Sequence, residues 1–110
     1  WSFNVAGRKR WWLIAPEDGD RLRITTATGT AFVNDLRAID ELELPDWDDA
    51  ARARVIEVLQ EPGEAIFVPS GWVHQVLNET DTCSINHNWL NRHNALACWS
   101  FLQAKRDEIE

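Results

Sequence analysis

Apolar and polar positions alternate at the start of the chain. Residues 1–6 follow the period-two pattern of a strand with one buried face. The apolar positions are Trp1, Phe3 and Val5, and the polar positions are Ser2 and Asn4. After a short turn, residues 10–15 form a bulky apolar run that stops at Pro16. We predict two strands that pair as a hairpin.

The middle of the chain loses this alternation and becomes acidic. Residues 28–61 predict a solvent-exposed insertion that contains one helix. The acids that mark it are Asp35, Asp40, Glu41, Glu43 and Asp46. Asp46 or Asp48 is predicted to cap the helix, which continues to about Gln60 before a Pro-Gly pair ends it. Residues 21–26 fit either a short strand or an extended loop.

The second half of the chain returns to short apolar runs between tight turns. Residues 64–69, 72–78 and 82–89 predict three strands, which we expect to form an antiparallel meander. Apolar positions at spacings of three and four in residues 92–110 predict a C-terminal helix. The whole pattern predicts an all-β fold with helical decoration, in the form of a barrel or jelly roll.

Composition narrows the class of protein. A chain of 110 residues holds one domain. Its 45% hydrophobic and 26% charged residues exclude a disordered or collagen-like chain. No apolar run reaches the roughly 18 residues of a membrane span, and a net charge of −7 argues against nucleic acid or a membrane as partner. Cys83 and Cys98 form no CxxC pair, so we expect buried free thiols in a reducing compartment.

His74 and Lys9 are the first candidates for chemistry. His74 shares a strand face with Trp72 and Val76, where a histidine is either a structural residue or a metal ligand. Lys9 lies between two arginines and just before two tryptophans. Its ammonium is either a solvated turn charge or, with its stem against the aromatic rings, a binding group for an anion.

Two asparagines near the end of the last predicted strand form a second candidate site. Asn86 and Asn88 are predicted to project to one face of the strand, and His87 to the other. Asparagine is uncommon in strands, so the pair indicates either a solvent-exposed edge or contact with a polar ligand or metal site. His93 is predicted to be a surface or cap residue of the last helix.

Common catalytic motifs are absent from the sequence. It contains no GxSxG, P-loop, GxGxxG or HExxH pattern. None of the three histidines is followed two positions later by an acid, because Val76, Trp89 and Ala95 occupy those positions. These residues alone do not supply a triad of two histidines and one carboxylate with the usual spacing for iron.

Three segments together resemble the second half of the JmjC oxygenase domain. They read GRKRWW at residues 7–12, PGEAIFVPSGWVHQVLN at residues 62–78 and SINHNWLN at residues 84–91. The pattern P-x-G-W-x-H-x-V-x-N is specific, and the order of the segments matches. Within the family, the chain is most similar to the lysyl-hydroxylase subgroup of jumonji-domain-containing protein four. The implied fold is the C-terminal part of a double-stranded β-helix, the cupin-like jelly roll, followed by a helix.

The resemblance also implies site residues, with Fe(II) as cofactor and 2-oxoglutarate as cosubstrate. His74 matches the distal histidine of the catalytic iron triad. Lys9 matches the lysine that pairs with the far carboxylate of 2-oxoglutarate. Asn88 matches a position near the iron and the cosubstrate, and Asn86 is its neighbour on the same face. The family's His-x-Asp motif belongs just upstream of Trp1, so we expect the C-terminal half of a longer enzyme, inactive by itself.

The implied activity is that of a dioxygenase that hydroxylates proteins. The subgroup implies hydroxylation of a lysyl carbon in a translation termination factor, which places the expected activity in the cytoplasm, with the nucleus as a further location. Neither nucleic acid nor a membrane is expected as partner. Two alternatives remain open at this point: a non-catalytic cupin-like interaction module and a histone lysine demethylase.

Overall fold

A computed structural model describes residues 1–41, 44 and 46–109 of the chain. Its strands are β1 (Ser2–Ala6), β2 (Lys9–Ile14), β3 (Arg23–Thr26), β4 (Gly29–Phe32), β5 (Ile56–Gln60), β6 (Ala65–Ile66), β7 (Val73–Asn78) and β8 (Cys83–Asn86). Its helices are α1 (Pro16–Gly19), α2 (Asp49–Ala53) and α3 (Ala95–Ile109), with 3₁₀ turns at Asp20–Leu22 and Leu36–Glu41. Glu43 of the predicted insertion and Glu110 of the predicted C-terminal helix lie outside the described residues. The predicted β chain with a C-terminal helix is confirmed.

The strands of the described residues form three antiparallel sheets. One has the order β6-β1-β8 and is called the β1 sheet below. The second has the order β5-β2-β7 and is called the β2 sheet. The third is the pair β3-β4, so Arg23–Thr26 forms a strand rather than an extended loop.

Apart from β3 and β4, strands that are neighbours in the sequence lie in different sheets. β1 pairs with β6 and β8, whereas β2 pairs with β5 and β7. The predicted hairpin of the first two strands and the predicted meander of the last three are therefore wrong. Alternation identifies a strand but not its partner. Gly7, at φ 81°, turns the chain from one sheet to the other, and a Cβ there would collide with the carbonyl oxygen of Asp81.

The apolar core lies on the outer face of the β2 sheet, where the predicted insertion covers it. Its buried members are Ile14, Leu22, Ile39, Trp47 and Ala51. Asp46 and Asp48 of the same segment are exposed. The segment is therefore not simply a solvated insertion, because its apolar residues complete the core while acidic residues face water.

The helix within this segment is much shorter than predicted. α2 ends at Ala53, and Ile56–Gln60 is a strand paired with β2. Three of the four residues at positions 55–58 are β-branched and favour a strand, and the pairing with β2 outweighs the local helical pattern. Asp48 is the N-cap, since its side chain accepts a hydrogen bond of 2.7 Å from the backbone N–H of Ala51.

The buried face of β1 is its polar face, contrary to its alternation pattern. Asn4 is 0% exposed and Ser2 is 4% exposed, whereas Val5 is 49% exposed. Asn4 donates from Nδ2 to the carbonyl oxygen of Gly7 and accepts from the hydroxyl of Ser84. These bonds satisfy a buried amide that would otherwise destabilise the fold.

The C-terminal helix α3 lies on the surface, and none of its residues is buried. The two cysteines are free, but the prediction that they are buried is wrong, because Cys83 is exposed and Cys98 is half-buried. No helix within the described ranges is long and apolar enough to cross a membrane.

Candidate functional site

A cavity of about 730 Å³ lies between the β1 sheet and the β2 sheet. Strands of both sheets, the turn before β7 and the start of α3 line it. The lining includes every residue that the sequence assigns to the site, namely Lys9, His74, Asn86 and Asn88. They come together because β1 and β2, and then β5 to β8, alternate between the two sheets that enclose the cavity.

Alternate residues of two neighbouring strands project into the cavity from the β2 sheet. Lys9 and Trp11 belong to β2, and His74 and Asn78 belong to β7. The register pairs Lys9 with Asn78 and places His74 opposite Leu13. Lys9 and His74 therefore share one face, separated by roughly 13 Å along the strands.

The ammonium of Lys9 has no ion-pair partner among the described residues. Its sequence neighbours do have partners. Arg8 lies 3.1 Å from Glu61, and Arg10 lies 2.6 Å from Glu79. The cavity therefore contains a positive charge that the described residues do not neutralise, as the binding of an anion requires.

The imidazole of His74 stacks on the indole of Trp11. The ring centroids are 5.9 Å apart, and the ring planes form an angle of 29°. Trp11 is 6% exposed, and its Nε1 donates a hydrogen bond of 2.9 Å to Oε1 of Gln60. Gln60 is 0% exposed and donates from Nε2 to the carbonyl oxygens of Ser2 and Glu64. Gln60 thus connects the β2 sheet to the β1 sheet.

Ser2 lines the cavity and Gln60 bonds to Trp11 in its wall, but neither residue could be singled out from the sequence. Gln60 was predicted to end a helix, so its role was missed. In a strand it follows Ile56 and Val58 at alternate positions and is the polar residue of an otherwise apolar face, which is the signal that could have identified it. Ser2 lines the cavity, and its buried Oγ has no hydrogen-bond partner in the described protein. A buried hydroxyl without a partner is costly, so a bound ligand or water at this position would stabilise the site.

The two asparagines lie on the wall formed by the β1 sheet. Asn86 pairs with Ser2 in the register of β1 and β8, and Asn88 follows the end of β8. Since the strand ends at Asn86, His87 leaves the alternation and lines the same cavity. The prediction that His87 faces away is wrong. Its ring stacks on Trp1 with centroids 5.9 Å apart.

Aromatic rings make up much of the remaining wall. The tryptophans that line the cavity are Trp1, Trp11, Trp72 and Trp89. Asn94, at the start of α3, donates from Nδ2 to the hydroxyl of Ser70 and to the carbonyl oxygen of Trp89. These bonds hold the start of the helix against the rim of the cavity. His93 is exposed, as predicted, and does not line it.

The sequence matches the cupin-like domain over residues 1–95. The chain belongs to the cupin-like domain family. It is similar to the 2-oxoglutarate and iron-dependent oxygenase JMJD4 of Mus musculus, with 40% identity over 110 residues, 100% of this chain and 25% of that protein. The Danio rerio protein of the same name is 42% identical over 110 residues, 100% of this chain and 26% of that protein.

A plant relative differs in its named activity. The arginine-specific demethylase JMJ20 of Arabidopsis thaliana is 42% identical over 102 residues, 93% of this chain and 21% of that protein. The cupin-like domain thus spans about a quarter of the length of the curated relatives it matches. No solved structure matches it. The resemblance to JmjC oxygenases and the cupin-like fold are confirmed.

A metal ion and an anion place different demands on the residues that line the cavity. The described residues of the chain contain no group of three His, Cys, Asp or Glu side chains that could hold a metal ion. His74, exposed at the cavity, fits one ligand position. The part of the cavity near Lys9 fits an anion better than a metal ion. The ammonium of Lys9, the unpartnered hydroxyl of Ser2 and the amide of Asn86 line the cavity.

Proposed function

We propose that this cupin-like domain forms part of the active site of an Fe(II)- and 2-oxoglutarate-dependent oxygenase of the JmjC type. The observation that carries the proposal is that His74 and the unpaired Lys9 lie on one face of the same cavity. A solvated turn lysine would lie outside the cavity, and a structural histidine would have hydrogen bonds to the protein. The names of the mouse and zebrafish relatives support the same cofactor and cosubstrate.

In this proposal, Lys9 binds the far carboxylate of 2-oxoglutarate. Lys9 and the buried Trp11 line the same cavity from alternate positions of β2. A charge-assisted pair of this kind contributes about 1.5–3 kcal/mol. Ser2 and Asn86 are neighbours across β1 and β8, and they offer a hydroxyl and an amide as further partners.

His74 supplies one iron ligand, and the remaining ligands come from protein outside the described residues. When bound, iron and 2-oxoglutarate would allow O₂ to hydroxylate an unactivated C–H bond: one oxygen atom enters the substrate, and the other enters succinate as 2-oxoglutarate loses CO₂. The cupin-like domain orients both groups from one sheet face. Its tryptophans supply an apolar wall beside them.

The proposed substrate is a protein, with a lysyl side chain of a translation termination factor as the target. Similarity to the lysyl-hydroxylase subgroup supports it. Arginine demethylation is a second candidate, because the Arabidopsis relative carries that name. The products distinguish the two, since hydroxylation adds an oxygen atom to the substrate peptide and demethylation releases formaldehyde. A histone peptide tests the lysine demethylase alternative in the same assay.

The test is succinate formation by the full-length protein that contains this chain, measured against 2-oxoglutarate concentration. Lys9→Ala is expected to raise the 2-oxoglutarate requirement about 10- to 100-fold, at about 1.4 kcal/mol per decade. Lys105→Ala is the matched control, because Lys105 is paired with Glu108 on the exposed helix α3. An unchanged requirement in Lys9→Ala would remove Lys9 from the site. A wild-type protein that forms no succinate would favour the non-catalytic module.

A further inference from the structure

The ring of His74 has an aromatic neighbour but no hydrogen-bond partner among the described residues. No hydrogen bond joins the His74 ring to any described residue, and Trp11 is the aromatic ring stacked on it. Histidines that bind metals almost always donate their second ring N–H to a carboxylate, a carbonyl group or water, which fixes the ring. At His74 a buried indole occupies one side of the ring instead.

Trp11 is in turn fixed by Gln60. The amide of Gln60 can bond in one orientation only, because its oxygen faces the indole N–H of Trp11 and its nitrogen faces two carbonyl oxygens. Those carbonyl groups belong to Ser2 in the β1 sheet and to Glu64 in the turn after β5. Gln60 thereby links the indole to both walls of the cavity.

We propose that Trp11 and Gln60 are positioning residues for His74, with Gln60 acting through Trp11. The indole restricts the imidazole to the orientation in which it binds the metal, and Gln60 holds the indole in place. This inference rests on the proposed function, because it requires His74 to be a metal ligand. It adds two residues beyond those that the proposed function assigns to the metal and to the far carboxylate of the cosubstrate.

The experiment measures the affinity of the full-length protein for Mn(II), by electron paramagnetic resonance of the free ion. Trp11→Phe keeps a ring beside His74 but removes the N–H that bonds to Gln60. We expect the Mn(II) dissociation constant to rise about tenfold, the low end of the effect of changes around a metal ligand. Trp47→Phe is the matched control, because Trp47 is also buried but lies in the core outside the cavity lining. It should bind Mn(II) like the wild type.

The double variant separates positioning from a general loss of stability. If Gln60 acts through Trp11, Gln60→Leu in the Trp11→Phe background should weaken Mn(II) binding no further. Additive losses of affinity would overturn the inference, and so would wild-type affinity in Trp11→Phe. If Gln60→Leu does not fold, the Mn(II) dissociation constants of Trp11→Phe and Trp47→Phe are compared instead. Equal constants would overturn the inference.

The same experiment distinguishes failure of the inference from failure of the proposed function. A wild-type protein that binds no Mn(II), or a His74→Ala variant that binds it equally well, would overturn both. Binding that is lost in His74→Ala but unchanged in Trp11→Phe would overturn the positioning role and leave the proposed function standing.

Discussion

The two faces of the β2 sheet have different neighbours, because the core covers the outer face and the cavity lies over the inner face. On the outer face, Ile14 is 1% exposed and packs with Leu22 and Trp47 in the core. On the inner face, Val76 is 37% exposed beside the cavity. The outer face therefore packs against the core, whereas the inner face combines buried Trp11 and Leu13 with the exposed residues of the proposed chemistry. Substitutions on one face should leave the property of the other face largely unchanged.

The adjacent residues His74 and Gln75 of β7 lie on opposite faces of the β2 sheet. His74 lines the cavity without a hydrogen bond from its ring to the described residues. The next residue, Gln75, points outward, donates from Nε2 to Asp35 and accepts a 2.7 Å hydrogen bond from the backbone N–H of Leu36. Gln75 thereby attaches the 3₁₀ turn Leu36–Glu41 to the sheet.

The largest effect on activity is expected from His74→Ala. Removing a metal ligand should abolish succinate formation by the full-length protein, and excess 2-oxoglutarate should not restore it. The unfolding temperature should change little, because His74 is exposed and its ring has no hydrogen bond to the described residues. Full activity in this variant would contradict the oxygenase assignment.

The largest effect on stability is expected from Ile14→Ala on the outer face. Ile14 is fully buried, and truncating such a side chain typically costs about 2–5 kcal/mol. Urea denaturation of the full-length protein measures the free energy of unfolding. The 2-oxoglutarate requirement of the protein that remains folded should equal that of the wild type. A raised requirement would show that the two faces are coupled.

Candidate site residues that lie within a sequence motif could be found from the sequence. Features that depend on contacts between distant residues could not. Lys9 and His74 lie within motifs that resemble a known family, and the structure places both in one cavity. The pairing of strands depends on contacts between distant residues, so the expected hairpin and meander were wrong. The prediction that the helix extends to Gln60 was wrong for the same reason, because Ile56–Gln60 pairs with β2 as a strand.

Burial was the other property that the sequence could not decide. Alternation in β1 separates two faces correctly but does not reveal which one is inside. In this fold the inside of the β1 sheet is polar, so Asn4 is buried while Val5 is exposed. The acidic segment was predicted to be exposed to solvent, but its apolar residue Trp47 is buried.

A smaller effect, again confined to stability, is expected from Gln75→Ala. The substitution removes two hydrogen bonds and leaves the backbone N–H of Leu36 without its partner. We expect a loss of about 1–3 kcal/mol in the free energy of unfolding. The Mn(II) affinity and the 2-oxoglutarate requirement should stay at wild-type values, in contrast to His74→Ala. A change in either value would show that the outer face shapes the site.

The smallest effect at neutral pH is expected from Asp35→Asn, and it should depend on pH. Hydrogen bonds from the guanidinium of Arg37, and then from Gln75, hold the pKa of Asp35 well below its usual range. A carboxyl whose pKa is lowered by folding stabilises the protein above its unfolded pKa of about 3.9 and loses that contribution as the pH falls toward the folded value.

Asp35→Asn should therefore unfold at a lower temperature than the wild type at pH 7, and the difference should shrink below about pH 4. The new amide keeps an oxygen that can accept the bond from Gln75, so the difference at pH 7 reflects mainly the loss of the pair with Arg37. Asp107→Asn removes the same charge from a carboxylate paired with Arg106 on the exposed helix α3 and serves as control. Thermal unfolding of the full-length proteins between pH 3 and 7, in steps of about one pH unit, measures both differences. A gap between wild type and Asp35→Asn that stays constant throughout this range would show that the carboxylate of Asp35 does not stabilise the outer face through its charge.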